Sequence, residues 1–176
     1  MTCCAAAPFA APLDQIIHEF KYPTTGLAGL NTTSKRLLNT LLLESARCTA
    51  AVPKAIVPIP LHRKRLQQRG FHPACVLARA LALHYGRPCL PTALGRIRDT
   101  PSQTGLGRAA RRANVKGAFV YQGKQPAPKT GWLVDDVVTT GATTEEAARV
   151  LRKAGVQEVT VICVARTPSR SDRTLR

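Results

Sequence analysis

Residues 131–144 read GWLVDDVVTTGATT, and their order of residue types decides the fold. Trp132, Leu133 and Val134, followed by Val137 and Val138, have the apolar and β-branched content of a strand buried on both faces. Two adjacent acids, Asp135 and Asp136, stand where that strand leaves the sheet, and the two-residue period of a strand points them to opposite sides. Neither has a basic partner nearby in sequence, so desolvation alone would disfavour both. Thr139, Thr140, Gly141, Ala142 and Thr143 then supply successive backbone N–H groups, hydroxyls and small side chains ahead of a helix-forming run from Glu145 to Ala154. Backbone donors at a helix N-terminus hold anions, so this order predicts a phosphate cradle beside two carboxylates. A buried strand entering a helix through an Asp- or Thr-capped loop is the plainer reading, but a cap needs neither the second acid nor the TTGAT run.

Carboxylates on one side and a phosphate cradle on the other suit a ligand with vicinal hydroxyls and a phosphate, the shape of a ribose 5-phosphate. From Trp132 to Thr143 the segment resembles the binding signature for phosphoribosyl pyrophosphate (PRPP) of type I phosphoribosyltransferases. Residues 57–71, VPIPLHRKRLQQRGF, are similar to the ComF family of phosphoribosyltransferase-like proteins, which is associated with DNA uptake in bacterial competence. Arg98, Thr100, Gln103, Arg111 and the Asn114-Val115 pair follow that family's pattern further on, so the resemblance covers about Leu13 to Thr167. It implies an α/β type I phosphoribosyltransferase fold, a mainly parallel sheet flanked by helices with a mobile hood loop.

The resemblance also implies roles. Asp135 and Asp136 would be the catalytic pair at the ribose hydroxyls, with Thr139, Thr140, Gly141, Ala142 and Thr143 on the 5′-phosphate. Leu61, His62, Arg63, Lys64, Arg65 and Arg69 would receive the pyrophosphate, and Arg98, Thr100, Gln103 and Arg111 would belong to the hood. Mg²⁺ would be held mainly through PRPP, with the two aspartates nearby, and the acceptor of the phosphoribosyl group stays unidentified. Two departures stand out. Members commonly begin with a four-cysteine zinc ribbon, for which Cys3 and Cys4 are too few and too close. His72-Pro73 replaces the Asn-Gln that usually follows Arg-Gly-Phe; Pro73 suits a helix's first turn, and His72 either takes over a lost polar contact or merely caps or faces solvent.

The formal charge of +16 over 176 residues is the second bound. Basic residues cluster at 63–69, 96–116 and 166–176, which implies polyanionic ligands beyond a solvated basic face. Single-stranded DNA is one such partner, and an aromatic content of 5% favours contacts to its phosphates over base stacking. No run of eighteen apolar residues occurs, so a membrane span is not expected. The opening MTCCAAAPFAAP lacks a leader pattern, and six cysteines without C-x-x-C spacing argue against a zinc site and a disulfide framework, so the reducing cytoplasm is the expected compartment.

Apolar spacing predicts helices over 13–22, over 34–48 with Ser34 as N-cap, and over 73–85. A strand is expected over 52–60, a basic loop over 61–70, a polar hood over 95–119 and a final buried strand over 158–164. Leucines in 37–43 are candidates for a homodimer interface, and Glu145 and Glu146 are assigned to the helix dipole without a chemical role. The expected organisation is a short segment 1–12, a phosphoribosyltransferase-like domain 13–167 and a basic tail 168–176. Two functions follow: a domain that binds PRPP with Mg²⁺ and transfers its phosphoribosyl group, or a non-catalytic nucleic-acid-binding competence factor that keeps the fold as sensor or scaffold. A nucleotide-salvage enzyme would need a base pocket that the sequence does not display.

Overall fold

A computed structural model describes residues 1–22, 32–100, 107–123 and 126–168. The chain runs β1 (Thr2–Pro8), α1 (Leu13–Lys21), α2 (Thr32–Arg47), β2 (Ala55–Pro58), α3 (Arg63–Arg69), α4 (Pro73–Tyr85), β3 (Leu94–Arg96), α5 (Arg108–Val115), β4 (Phe119–Tyr121), β5 (Thr130–Val138), α6 (Ala142–Lys153) and β6 (Glu158–Arg166). Four strands form a parallel sheet in the order β1-β6-β5-β2, and β3 and β4 form a small antiparallel pair. This is the expected α/β architecture with a mainly parallel sheet.

The central strands are apolar because helices or the small sheet cover both faces. Leu133, Val134, Val161, Ile162 and Val164 are fully buried. On one face, α1, α2 and α4 bring Ile17, Phe20, Leu38, Leu42 and Leu77 against Trp132 and Val134. On the other, α6 and the β3-β4 pair bring Leu151, Ala147, Leu94 and Phe119 against Leu133 and Val161. Beyond β2 and the exposed α3, α4 lies on one face, and α6, which follows the neighbouring strand β5, lies on the other. Such a reversal opens a crevice at the carboxyl ends of the strands, where ligands of α/β sheets bind.

The structure departs from the sequence expectations in several places. Residues 2–8 are no appendage: they pair with β6 from Thr2↔Thr160 to Pro8↔Arg166 and form a sheet edge. Ala and Cys carry no strand periodicity, so the partner alone makes this strand. The stretch 61–70 is not all loop but contains α3, which buries none of its residues and so shows no apolar stripe; it stops at Gly70, whose φ of 76° the next turn requires. Ser34 is buried inside α2 rather than capping it, and Leu38 and Leu42 belong to the core, leaving Leu37 as the exposed leucine of that group. Only Ala55–Pro58 of the expected strand 52–60 joins the sheet. β5 continues through both acids to Val138, and α6 starts at Ala142 instead of Glu145.

Candidate active site

The ladder between β2 and β5 ends at Pro58↔Val134, and its last bond runs from the Ile59 N–H to the Val134 carbonyl at 2.8 Å. β5 continues beside β6 alone, so Asp135 and Asp136 emerge where β2 has turned away. They share a cavity of about 260 Å³ with Lys21, Arg65, Arg69, His72 and Arg96. The carboxylates follow the two faces of β5. Asp136 continues the side of Trp132 and Val134, where Lys21 at the end of α1 places its Nζ 3.0 Å from Oδ1. The same Oδ1 accepts the Val137 N–H at 2.7 Å, and Asp135 Oδ1 accepts the Asp136 N–H at 2.9 Å. Burial, then the neighbouring Asp136 charge, pushes the Asp135 carboxyl up to about 8, against the opposing pull of Lys21.

Cations surround this pair. Arg96 is half-buried with its guanidinium 5.4 Å from the Phe119 ring centre, and burial, then the charge of Arg65, lowers its pKa. Arg69 lies 4.6 Å over the Tyr22 ring and donates to its hydroxyl at 2.8 Å. Arg65 donates to the Thr100 carbonyl at 2.7 Å. His72 stands at the N-cap position of α4, but its side chain makes no capping bond and turns inward: its Nε2 lies 3.0 Å from the Ile59 carbonyl and 3.1 Å from the Leu61 amide. With Nε2 protonated the ring donates to the Ile59 carbonyl, with Nδ1 protonated it accepts from the Leu61 N–H, and burial lowers its pKa, which favours the neutral ring. The ring thereby ties α4 to the turn that leaves β2, a polar contact at the position where the family usually has Asn.

Of the residues expected on the pyrophosphate, Leu61, Arg65 and Arg69 line the cavity. His62 and Lys64 turn instead to Asp99, at 3.4 and 3.6 Å, and Arg63 is exposed at the start of α3. The intervening turns of α3 separate them: only the helix face that follows Leu61, Arg65 and Arg69 looks inward. Lys21, Tyr22 and Arg96 were missed as site residues because nothing in their local sequence relates them to acids 39 to 115 positions away.

The turn from β5 into α6 is built around the glycine. Gly141 has φ of +79° and turns the chain from β5 into α6, and its carbonyl accepts from the Glu145 N–H at 2.8 Å and the Thr144 hydroxyl at 2.9 Å. Thr139, Thr140, Gly141 and Thr144 line a cavity of about 690 Å³ while Thr143 faces the acid cleft, so the first turn of α6 adjoins both. The Thr140 Oγ1 is buried with no hydrogen-bond partner.

The hood reaches this cradle through α5. Arg111 donates to the Thr139 hydroxyl at 3.1 Å, Arg112 grips Glu145 at 3.0 Å, and the Gly117 N–H donates to Glu146 at 2.7 Å. Glu145 and Glu146 therefore dock the hood onto α6, a role beyond the helix dipole. Arg98 donates to the Lys116 carbonyl, and the buried Thr100 accepts from Arg96 and Arg65; both brace the hood. Gln103 lies outside the described residues.

No group of three or more His, Cys, Asp or Glu side chains able to hold a metal occurs among the described residues. Two carboxylates, one already engaged by an ammonium, fit a hard cation that arrives with oxygen ligands of its own, as Mg²⁺ bound to a phosphorylated ligand does. No helix among the described residues is long and apolar enough to cross a membrane.

The phosphoribosyl transferase domain family matches residues 69–175. Competence protein F of Haemophilus influenzae is 35% identical over 162 residues, which cover 90% of this chain and 69% of that protein. The DNA utilization protein YhgH of Escherichia coli O157:H7 is 33% identical over 166 residues, 92% of this chain and 70% of that protein. Among solved structures, an adenine phosphoribosyltransferase superposes with a TM-score of 0.49 at 15% identity, over 82% of this chain and 76% of that one.

Proposed function

This chain belongs to the phosphoribosyl transferase domain family and, within it, to the ComF-type competence proteins, and from that premise we propose that its cleft binds PRPP with Mg²⁺ and transfers the phosphoribosyl group to an acceptor nitrogen. The observation that carries the reading is a cleft shared by two strand carboxylates, three guanidinium groups and Thr143, with the rest of the Gly141-opened first turn of α6 facing the adjoining cavity. The 5′-phosphate would sit on the amides of the Thr139–Thr143 turn, the ribose hydroxyls at Asp135 and Asp136, and the pyrophosphate against Leu61, Arg65, Arg69 and Arg96.

In the reaction so proposed, the bond between the anomeric carbon and the pyrophosphate oxygen breaks and the leaving group keeps the electron pair. The acceptor's nitrogen lone pair makes the new bond from the opposite face. Positive charge develops on the ring as in glycosyl transfer, and Asp136 at the carboxyl end of β5, joined by Asp135 where that acid is ionised, favours it electrostatically. Mg²⁺, when bound with the ligand, would offset the negative charge of the pyrophosphate. The hood, held to α6 through Arg112 and Glu145, would keep out water, which otherwise competes as nucleophile.

Calorimetric titration of PRPP in Mg²⁺ into the wild type and an Asp135→Asn/Asp136→Asn variant tests this. Saturable binding that the folded variant loses is the expected result. No binding by folded wild type would sink the reading. A second reading keeps the cleft as a non-catalytic sensor in a nucleic-acid-binding competence factor. It is favoured by the charge of +16 and by the names of the two relatives, which refer to competence and DNA utilization. Single-stranded DNA affinity would then fall steeply with salt; a flat dependence would remove it.

A further inference from the structure

We propose that Lys21 is both the counter-ion of Asp136 and a direct donor to a diphosphate anion, which the site thereby takes without a divalent metal. This rests on the PRPP reading above and deepens it by naming what recognises the diphosphate.

A pair of carboxylates repels a polyanion, and a divalent cation is the usual remedy. Here one carboxylate is already paired. Lys21 Nζ stands 3.0 Å from Asp136 Oδ1, with the two side chains only 24% and 10% exposed, so the pair is poorly screened by water. The position is held from behind: Ile17 and Phe20 of α1 are buried in the core, which sets where the end of that helix sits. An ammonium carries three N–H donors and one carboxylate oxygen takes one of them, while the group lines the same cavity as Asp135.

The rest of the lining points the same way. Arg65, Arg69 and Arg96 face the cavity, and the contacts of Arg65 and Arg69 to Thr100 and Tyr22 each use one N–H of a five-donor fork. Four cations against two acids, in about 260 Å³, give the space a positive excess before any metal enters. Guanidinium forks match phosphate oxygens in geometry, and the lysine cancels the charge that would oppose them. Mg²⁺ then strengthens binding of the full ligand but is not the condition for holding its diphosphate.

The test is calorimetry with inorganic pyrophosphate, in EDTA and in Mg²⁺, on the wild type, Lys21→Arg, Lys21→Met and Lys21→Met/Asp136→Asn. Thermal unfolding checks each protein, and the double variant carries the test if Lys21→Met, which strands a buried carboxylate, does not fold. The wild type should bind in EDTA, Lys21→Arg should keep most of that affinity, and both Met variants should lose about tenfold or more, as expected for a charge-assisted contact. Mg²⁺ should restore much of the binding to the single Met variant. Wild-type binding only in Mg²⁺ would overturn the role of Lys21 while leaving the PRPP reading intact. Undiminished EDTA binding by the double variant would also overturn it, since Lys21 would then only neutralise Asp136. Failure of folded wild type to bind pyrophosphate or PRPP in either buffer would bring down both.

Discussion

Asp135 is held where its charged form is disfavoured, and this has a measurable cost. Its carboxyl is raised to about 8 chiefly by burial, from an ordinary value near 4. Between those values the folded chain holds a proton that the unfolded chain has released, so stability falls as pH rises through that window. Asp135→Asn removes the titration: its Tm should exceed the wild-type value by about 3 °C or more at pH 8, and the gain should vanish below pH 4. A thermal melt series from pH 4 to 8 decides this, and a gain independent of pH would show that the acid is not buried at a cost. The same substitution should weaken PRPP binding, the trade expected where a site is kept at the expense of stability. That the two acids sit together was legible in the sequence; that Lys21 answers one of them was not, because the pair is made across 115 positions by packing of α1.

Two elements behave differently from what their residue composition announces. β1 carries small and partly polar residues, yet its removal would uncover the edge of β6, where Val161, Ile162 and Cys163 are fully buried. Deleting residues 1–8 should therefore lower Tm and promote aggregation through the exposed edge, measurable by melting and light scattering; an unchanged melt would make β1 dispensable. Among its described side chains α5 buries only Val115, at its end, and polar contacts hold it to α6: Arg112 to Glu145, and the Gly117 amide just beyond the helix to Glu146. Glu146→Ala should loosen that dock, and trypsin should then cut at Arg111 or Arg112 severalfold faster with little change in Tm. Equal cleavage rates would mean that Glu146 does not hold the hood. The bonds of Arg149 also keep the Glu146 carboxyl below the usual range, so the dock should persist into mildly acidic solution.

For the whole molecule, a ligand held in the cleft beside β5 touches α1, α3, α4 and α6 at once, so its binding should register as global stability. PRPP with Mg²⁺ at about 100 times its Kd should add about 2.7 kcal/mol to the folded state. For a domain of this size that is a rise in Tm of roughly 5–10 °C. Ribose 5-phosphate, which lacks the diphosphate, should give a smaller shift. Equal shifts from the two ligands would contradict the assignment of the Arg65, Arg69 and Arg96 side of the cleft to pyrophosphate.

The α/β class, the buried strand at 131–138, the two acids and the glycine-opened turn into α6 were determined by sequence alone, since each rests on local periodicity or on the backbone freedom of one residue. The tertiary structure decided the rest. It made β1 a strand by giving it a partner, and it turned Leu61, Arg65 and Arg69 inward while sending His62 and Lys64 to Asp99. It also brought Lys21, His72 and Arg96 around the acids. Contacts between residues far apart in the chain depend on where helices pack on the sheet, and no pattern within a few residues of any of them carries that information.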